Sequence, residues 1–85
     1  MVDCYIAVRS VTYAQKLIRL LGAHGIRARQ TKSPKEITGG GCGHAVFVKN
    51  GNPARLRVIL DESGLPPFRI FLTTDKESFQ EYLSL

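Results

Sequence analysis

Segments in which apolar and polar residues alternate constrain the fold of this chain most strongly, because they set the number and order of its strands. Such alternation is typical of a strand with one buried face. It occurs in four places, at residues 2–9, 26–30, 44–49 and 68–73. We therefore predict four strands, each of which buries every second side chain.

Two helical segments are predicted between these strands. Ser10 is a suitable N-cap for the first helix, which is expected to end at Gly22 or Gly25. Asn52 and Pro53 provide the cap and the first position of the second helix. The apolar residues that recur at helical spacing, and are expected to face the sheet, are Ala14, Leu17, Ile18 and Leu21 in the first helix and Leu56, Ile59 and Leu60 in the second.

The end of the chain is predicted to form a third, short helix. Thr74 and Glu77 have the spacing of a capping box, and Phe79, Tyr82 and Leu83 follow at helical spacing. The element order βαββαβ commonly folds as a ferredoxin-like α+β sandwich. We therefore expect a four-stranded antiparallel sheet with two helices on one face, plus the short C-terminal helix.

Strand parity divides the side chains of the predicted sheet between two faces. The face toward the helices is expected to carry Cys4, Ile6, Ile26, Val46, Val48, Ile70 and Leu72. The opposite face, here called the outer face, is expected to carry Tyr5, Arg27, Arg29, Phe47, Arg69 and Phe71. Cys4 is thus interpreted as a small buried residue of the core.

Composition restricts the compartment and the kinds of ligand. With 85 residues, the chain is long enough for one small domain, residues 1–85. It has no apolar run of membrane-spanning length and no secretion signal at its start, so a cytoplasmic location is expected.

The two cysteines and two histidines lack the close cysteine pair of a zinc site, and both thiols are expected to be free. No metal and no cofactor are therefore predicted.

Charge is distributed unevenly along the chain. The formal net charge is +5, and ten of the twelve basic residues lie at positions 9–57 together with a single acid, Glu36. Five of the seven acids lie at positions 58–85. The basic part is expected to attract anionic partners.

The stretch T-G-G-G-C-G-H, which ends at His44, is the main candidate for a functional site. It closes a loop at positions 32–43 that is long for a small domain, and loops of that length are more often functional than merely connecting. Cys42 is the candidate nucleophile, because glycines leave a thiol accessible, while backbone N–H groups and cations stabilise a thiolate. If Cys42 is extended, its thiol and the His44 imidazole lie on one side and could share a proton. The residues predicted to support Cys42 are Gly40, Gly41, Gly43, Lys32, Lys35 and His44.

Simpler interpretations of this stretch stay open. The glycines form a flexible turn that merely tolerates Cys42, or His44 only makes a hydrogen bond at the end of the sheet. The lysine and the hydroxyl of a phosphate-binding P-loop are missing, which excludes that function. Hydrolysis is poorly supported, because no third residue is identifiable that would orient His44.

Several short motifs follow one another along most of the chain. A strand ending Y-I-A-V-R-S leads into a helix that begins S-V-T-Y-A and ends L-L-G-A-H-G-I, and S-P-K-E-I follows a basic strand. Together with Pro34, Ile37, Cys42 and Gly43, this order resembles the selenium/sulfur carrier family of bacteria and archaea. The chain differs from the family in the three glycines before Cys42, where serines or other small residues are usual, and at His44, which replaces an apolar residue.

The resemblance implies a small cytoplasmic carrier whose loop cysteine holds sulfur or selenium as a persulfide or selenopersulfide. Cys42 corresponds to the family cysteine, and Cys4 has no counterpart. The implied partners are proteins that donate or accept the sulfur or selenium, among them a cysteine desulfurase. Such a protein carries a group and is an accessory protein more than a stand-alone enzyme.

The outer face suggests two alternative functions, a nucleic-acid-binding module and a homodimer. Aromatic rings among cations bind single-stranded nucleic acid by stacking and by phosphate contacts. However, the stretch G-H-A-V-F-V matches the RNA-recognition signature only superficially, because its stacking positions become His44 and Val46, on the other face. A homodimer formed sheet to sheet is preferred, since it would bury the same rings. The residues of both alternatives are Tyr5, Phe47 and Phe71 with Arg27, Arg29 and Arg69.

Overall fold

The computed structural model of the chain describes residues 2–34, 43–64, 69–75 and 78–82. Among them it contains β1 (Val2–Val8), α1 (Val11–Ala23), β2 (Arg29–Lys32), β3 (His44–Gly51), α2 (Pro53–Glu62), β4 (Arg69–Thr73) and β5 (Gln80–Tyr82). The strands form one antiparallel sheet in the order β2-β3-β1-β4-β5. The α+β class, the antiparallel sheet and the two helices are confirmed, whereas the prediction of four strands is wrong. Neither described helix is long and apolar enough to cross a membrane.

One face of the sheet and both helices enclose the core. Its buried members are Cys4, Ile6, Val8, Val46, Val48 and Ile70 from the strands, Ala14, Leu17 and Leu21 from α1, and Leu56, Ile59 and Leu60 from α2. Ile18, Ile26 and Leu72, also predicted to face inward, are partly buried against them. Each large aliphatic side chain stabilises the fold by roughly 1.5–3 kcal/mol when it is fully buried. The predicted inner faces of the strands and helices are therefore confirmed.

Both ends of α1 follow from local sequence. The Ser10 Oγ accepts a hydrogen bond from the Tyr13 N–H at 3.3 Å, which confirms the predicted cap. At the other end, Gly25 has a φ of 76°. The N–H of Ile26 then donates back to the carbonyl oxygen of Leu21 at 2.8 Å. This is the motif in which a left-handed glycine ends a helix and the next apolar residue packs on the last turn.

The second strand lies later in the chain than its alternation predicts. A strand is expected at 26–30, but β2 spans Arg29–Lys32. The reason is the end of α1, where the N–H of Ile26 is already bonded to the helix and the chain has not yet reached the edge of β3. Ile26 and Ala28 nevertheless pack against the core, so their predicted inward orientation is confirmed.

The start of α2 also agrees with the sequence. The Asn52 Oδ1 accepts a hydrogen bond from the Arg55 N–H at 3.2 Å, and Pro53 is the first helical residue. Just before this helix, the register between β3 and β1 shifts, and Asn50 has a φ of 52°. Asparagine tolerates this left-handed conformation better than most residues, and it occurs here where the register shifts. The Asn50 N–H is held by the Asp3 carboxylate at 3.1 Å.

The predicted C-terminal helix is wrong, because this part of the chain forms β5 at the edge of β4. The turn before β5 is held by the Asp75 carboxylate, which accepts hydrogen bonds from the Ser78 N–H at 2.9 Å and from the Thr73 hydroxyl at 3.3 Å. Short polar side chains that bond to nearby backbone favour turns over helices. Tyr82 packs against the core from β5, which partly buries it without a helix. Glu77 and Leu83 of the predicted helix lie outside the described residues.

Candidate functional site

The ends of β2 and β3 form the base of the loop that contains Cys42. Lys32, the last residue of β2, is paired with His44, the first residue of β3. One step further, the N–H of Ser33 donates to the carbonyl oxygen of Gly43 at 3.2 Å. Residues 34–42, here called the cysteine segment, therefore connect two adjacent strands whose ends are hydrogen-bonded to each other.

Three of the predicted site residues belong to this base and are brought together there. Lys32 is exposed, and both Gly43 and His44 are half-buried. The others, Cys42, Gly40, Gly41 and Lys35, lie outside the described residues. The accessibility of the Cys42 thiol and its stabilisation by glycine N–H groups therefore stay predictions.

His44 lies at the end of the sheet, where β3 runs between two partners. It pairs with Val8 of β1 on one side and with Lys32 of β2 on the other. Strand parity puts its side chain on the same face as Val46, which is the face toward the helices. If Cys42 continues the line of the strand, its thiol would lie on that side as well. Contact between His44 and Cys42 stays a prediction.

The second cysteine is enclosed in the core. Cys4 is 0% exposed. Burial raises the pKa of its thiol to about 11, the negative charge of Asp3 adds to the rise, and a backbone hydrogen bond at Gly51 opposes it. Because the thiolate is the reactive form of cysteine, Cys4 is inert near neutral pH. The interpretation of Cys4 as a core residue is confirmed.

Ser33 is a residue of this site that the sequence did not reveal. Its Oγ is buried and has no hydrogen-bond partner among the residues that the structure describes. Leaving a buried polar group unsatisfied costs about 1–3 kcal/mol. The only signal in the sequence is a serine directly before Pro34, a pair that is common in many loops.

The described part of the chain offers no set of metal ligands. Cys4 is surrounded by apolar side chains, and His24 lies at the end of α1, away from His44 in the sheet. Within the described ranges, no three side chains of His, Cys, Asp or Glu lie close enough together to hold a metal ion.

The outer face carries a row of paired residues that crosses all five strands. The row runs from Arg29 on β2 through Phe47, Tyr5 and Phe71 to Glu81 on β5. The rings of Tyr5 and Phe47 lie 5.0 Å apart, and the Arg29 guanidinium lies 5.0 Å from the centre of the Phe47 ring. The predicted grouping of these aromatic rings and arginines on one face is confirmed.

Neighbouring side chains cover the rings of Phe47 and Phe71 in this row. Phe47 is 6% exposed and Phe71 is 7% exposed. The Arg69 guanidinium lies 5.0 Å from the centre of the Phe71 ring and donates to both Glu81 carboxylate oxygens, at 2.9 and 2.8 Å. These hydrogen bonds hold the pKa of Glu81 below its usual value. Phe47 and Phe71 thus offer little free surface to a nucleic-acid base or to a second copy of the chain.

Two further residues of the outer face were not predicted to lie there. Phe79, predicted to belong to a C-terminal helix, packs edge-on against Tyr5 with ring centres 5.5 Å apart. Lys49 lies on the outer face because it follows Phe47 at the same parity along β3. The alternation of β3 therefore contained the signal for Lys49, whereas Phe79 required knowledge of β5.

Comparison with known proteins finds a related family. A family model described as "Putative Se/S carrier protein-like" matches residues 3–72. The matched range includes Cys42 and Gly43 and stops before β5. No curated protein and no solved structure matches the chain.

Proposed function

Because the chain belongs to the Se/S carrier protein-like family, we propose that it carries sulfur or selenium on the thiol of Cys42 and passes it to a partner protein. The observation that carries this proposal is the position of the other cysteine. Cys4 is fully buried and its thiol pKa is raised to about 11, so it does not exchange with a partner from the folded state. Of the two cysteines in the sequence, Cys42 is left for the carrier role.

The transfer is an exchange at sulfur that needs no added oxidant or reductant. The thiolate of Cys42 attacks the outer sulfur of a donor persulfide, R–S–SH, and forms a new S–S bond while the S–S bond of the donor breaks. The donor leaves as the thiolate R–S⁻, and the carrier becomes Cys42–S–SH, so atoms, charge and electrons balance. The reverse exchange with an acceptor thiolate unloads the carrier. Selenium would move in the same way from R–S–SeH.

The predicted neighbours of Cys42 suit the negative charge of this chemistry. The terminal sulfur of a persulfide is anionic near neutral pH, and cations and backbone N–H groups stabilise such an anion. His44 would exchange a proton with the thiol or the persulfide. The other groups proposed to act on the sulfur are the ammonium groups of Lys32 and Lys35 and the N–H groups of Gly40, Gly41 and Gly43.

The arrangement of the strands supports this role. The hydrogen bond between Ser33 and Gly43 ties both ends of the cysteine segment to the sheet, which would present Cys42 from a rigid base. We also infer a ferredoxin-like arrangement for the first four strands, supported by the order β2-β3-β1-β4 and by the contribution of both helices to a single core. β5 would then extend that sheet at the edge of β4.

The partners proposed for the carrier are donor and acceptor proteins. A cysteine desulfurase, which forms a persulfide on its own cysteine, is the proposed donor. The exchange requires reduced thiols on both sides, which is the state maintained in the cytoplasm. The chain would therefore act there as an accessory protein between two enzymes.

Intact mass spectrometry under non-reducing conditions tests the proposal. The chain is incubated with a cysteine desulfurase plus cysteine, and separately with glutathione persulfide as a small donor. We expect the mass of one sulfur atom to be added to the native chain and to the matched control Cys4→Ser, and nothing to be added to Cys42→Ser. A gain that persists in Cys42→Ser, or no gain from either donor, would overturn the proposal.

A further inference from the structure

Two adjoining clefts beside β2 and β3 share the residues Arg27, Lys49 and Asn50. The larger cleft has a volume of about 540 Å³ and is lined by Arg27, Ala28, Arg29, Phe47, Lys49 and Asn50. The smaller cleft, of about 280 Å³, also includes Arg55 in its lining. We call the pair the basic clefts.

The charged residues that line the basic clefts are all cations, and the nearby Asp3 carboxylate is bonded to the N–H of Asn50 at 3.1 Å. The lining of the clefts includes no acid and four cations, namely Arg27, Arg29, Lys49 and Arg55. The ion pairs within the described part of the chain join Arg57 to Asp61 and Arg69 to Glu81, so neither involves a cleft residue. Positive charge concentrated on a concave surface raises the local concentration of anionic partners.

Two of these cations are held in place by contacts within the chain. The Arg29 guanidinium lies 5.0 Å from the centre of the Phe47 ring, which fixes it against the sheet. The Arg55 Nη2 donates to the carbonyl oxygen of His24 at 2.8 Å. Groups that are already ordered lose less conformational entropy when a ligand binds, so the clefts are partly pre-organised.

We propose that the basic clefts bind an acidic segment of the protein that exchanges sulfur with Cys42, an inference that rests on the proposed carrier function. Arginine binds carboxylates through two parallel hydrogen bonds, and Arg27 and Arg29 are both exposed for such contacts. Nucleic acid fits less well, because Phe47 is 6% exposed and already covered by Arg29, which leaves bases no ring in these clefts on which to stack.

The basic clefts, where the partner is proposed to bind, lie apart from the residue that would exchange sulfur, Cys42. Phe47, in the larger cleft, is four residues along the chain from Gly43, which directly follows the cysteine segment, a distance of about 14 Å at the rise of an antiparallel strand. A protein interface of ordinary size spans such a distance. A partner bound at the clefts would therefore reach Cys42 without covering it.

Fluorescence anisotropy with a labelled glutamate-rich peptide tests the proposal. The variant Arg27→Gln/Lys49→Gln removes two exposed charges from the clefts, and the matched control Lys16→Gln/Arg19→Gln removes two exposed charges from α1. We expect the first variant to weaken peptide binding roughly tenfold and the control to change it less than about twofold. Equal weakening in both variants would contradict a defined site, and so would tighter binding of a single-stranded RNA probe than of the peptide through the same residues.

Two readouts distinguish failure of this inference from failure of the carrier function. We expect Cys42→Ser to bind the peptide as tightly as the native chain. We also expect Arg27→Gln/Lys49→Gln to accept sulfur from glutathione persulfide at the native rate, because a small donor needs no docking. A native chain that takes up sulfur but does not bind the peptide would overturn the docking proposal alone. A native chain that binds the peptide but takes up no sulfur would overturn the carrier function on which the identity of the partner rests.

Discussion

The N–H of Ser33 donates to the carbonyl oxygen of Gly43 at 3.2 Å, one step beyond the last pair of β2 and β3. Gly43 directly follows Cys42 in the chain, so this hydrogen bond anchors the cysteine segment next to its proposed reactive residue. The anchor belongs to the same sheet that buries Cys4. One sheet thus encloses one thiol and holds the segment that carries the other.

Alkylation by iodoacetamide should separate the two cysteines. In the folded protein we expect Cys42 to react well before Cys4, because Cys4 is fully buried and its pKa is raised to about 11. Peptide mapping of the alkylated protein measures both rates, and labelling in denaturant provides the control in which the rates converge. Equal and slow labelling of both thiols in the native state would count against a reactive Cys42.

The same buried thiol predicts how stability changes at alkaline pH. The pKa of Cys4 is raised in the folded state from 9.0 to about 11, so folding favours the neutral thiol. This contribution to stability is complete below pH 9 and is lost as the pH rises from about 9 to about 11, because the unfolded chain ionises first. Denaturant unfolding should show a steeper loss over this window for the native chain than for Cys4→Ala. Parallel curves for the two proteins would contradict the assigned burial of the thiol.

Replacing Ser33 by alanine should leave the protein at least as stable as before. The hydroxyl is buried without a described partner, so its removal relieves a desolvation cost of up to about 1–3 kcal/mol, while the backbone bond to Gly43 is kept. Chemical denaturation of Ser33→Ala measures the change in the free energy of unfolding. A loss of more than about 1 kcal/mol would mean that the hydroxyl makes a stabilising contact.

Glycine at position 51 is required by close packing against the buried cysteine. A Cβ added to Gly51 would lie 2.9 Å from the Cys4 Sγ and 3.0 Å from the Val48 Cγ1. We expect Gly51→Ala to destabilise the fold by about 1–3 kcal/mol, as overpacking of a core does. Gly22→Ala is the matched control, because nothing lies within 4 Å of the added Cβ and alanine favours the helix. Equal unfolding midpoints for the two variants would contradict this packing.

We expect the hydrogen bonds from Arg69 to lower the pKa of the Glu81 carboxyl at the edge of the sheet. Hydrogen bonds from Arg69 favour the charged form of Glu81, so the stabilisation they provide exists above the ordinary pKa of glutamate and is lost as the pH falls through the lowered value. Titration followed by NMR should show the Glu81 pKa returning toward its usual value in Arg69→Gln. No difference between the two proteins would mean that the pair does not persist in solution.

Local signals were sufficient to predict much of the fold. Ser10 and Asn52 cap the two helices as expected, and the alternation along the chain predicted which residues of β1, β3 and β4 face the core. The expectation that only every second side chain is buried is wrong for β3 and β4, where Phe47 and Phe71 of the outer face are buried too. The fifth strand could not be predicted in this way, because the i, i+3 spacing of Phe79 and Tyr82 favours one face of a helix, whereas the structure puts the two rings on opposite faces of the sheet. Its identity depends on pairing with β4, which the local sequence does not encode.

The site was predictable to a smaller extent. The loop length and the glycines drew attention to Cys42, and the structure brings Lys32, Gly43 and His44 together at the base of that loop. The role of Ser33 could not be predicted, because it depends on the register between β2 and β3. That register depends on how α1 ends, because the N–H of Ile26, three residues before the start of β2 at Arg29, is still bonded to the helix.

Localisation of transferred sulfur tests the central claim most directly. Trypsin cleaves on both sides of residues 36–49, which contain Cys42, and releases residues 1–9, which contain Cys4. After incubation with a cysteine desulfurase and cysteine, persulfides are trapped with iodoacetamide. The protein is then digested with trypsin, and the masses of the peptides are measured by mass spectrometry. We predict one additional sulfur atom on peptide 36–49 and none on peptide 1–9. Additional sulfur on peptide 1–9, or on neither peptide, would contradict the assignment of Cys42 as the carrier residue.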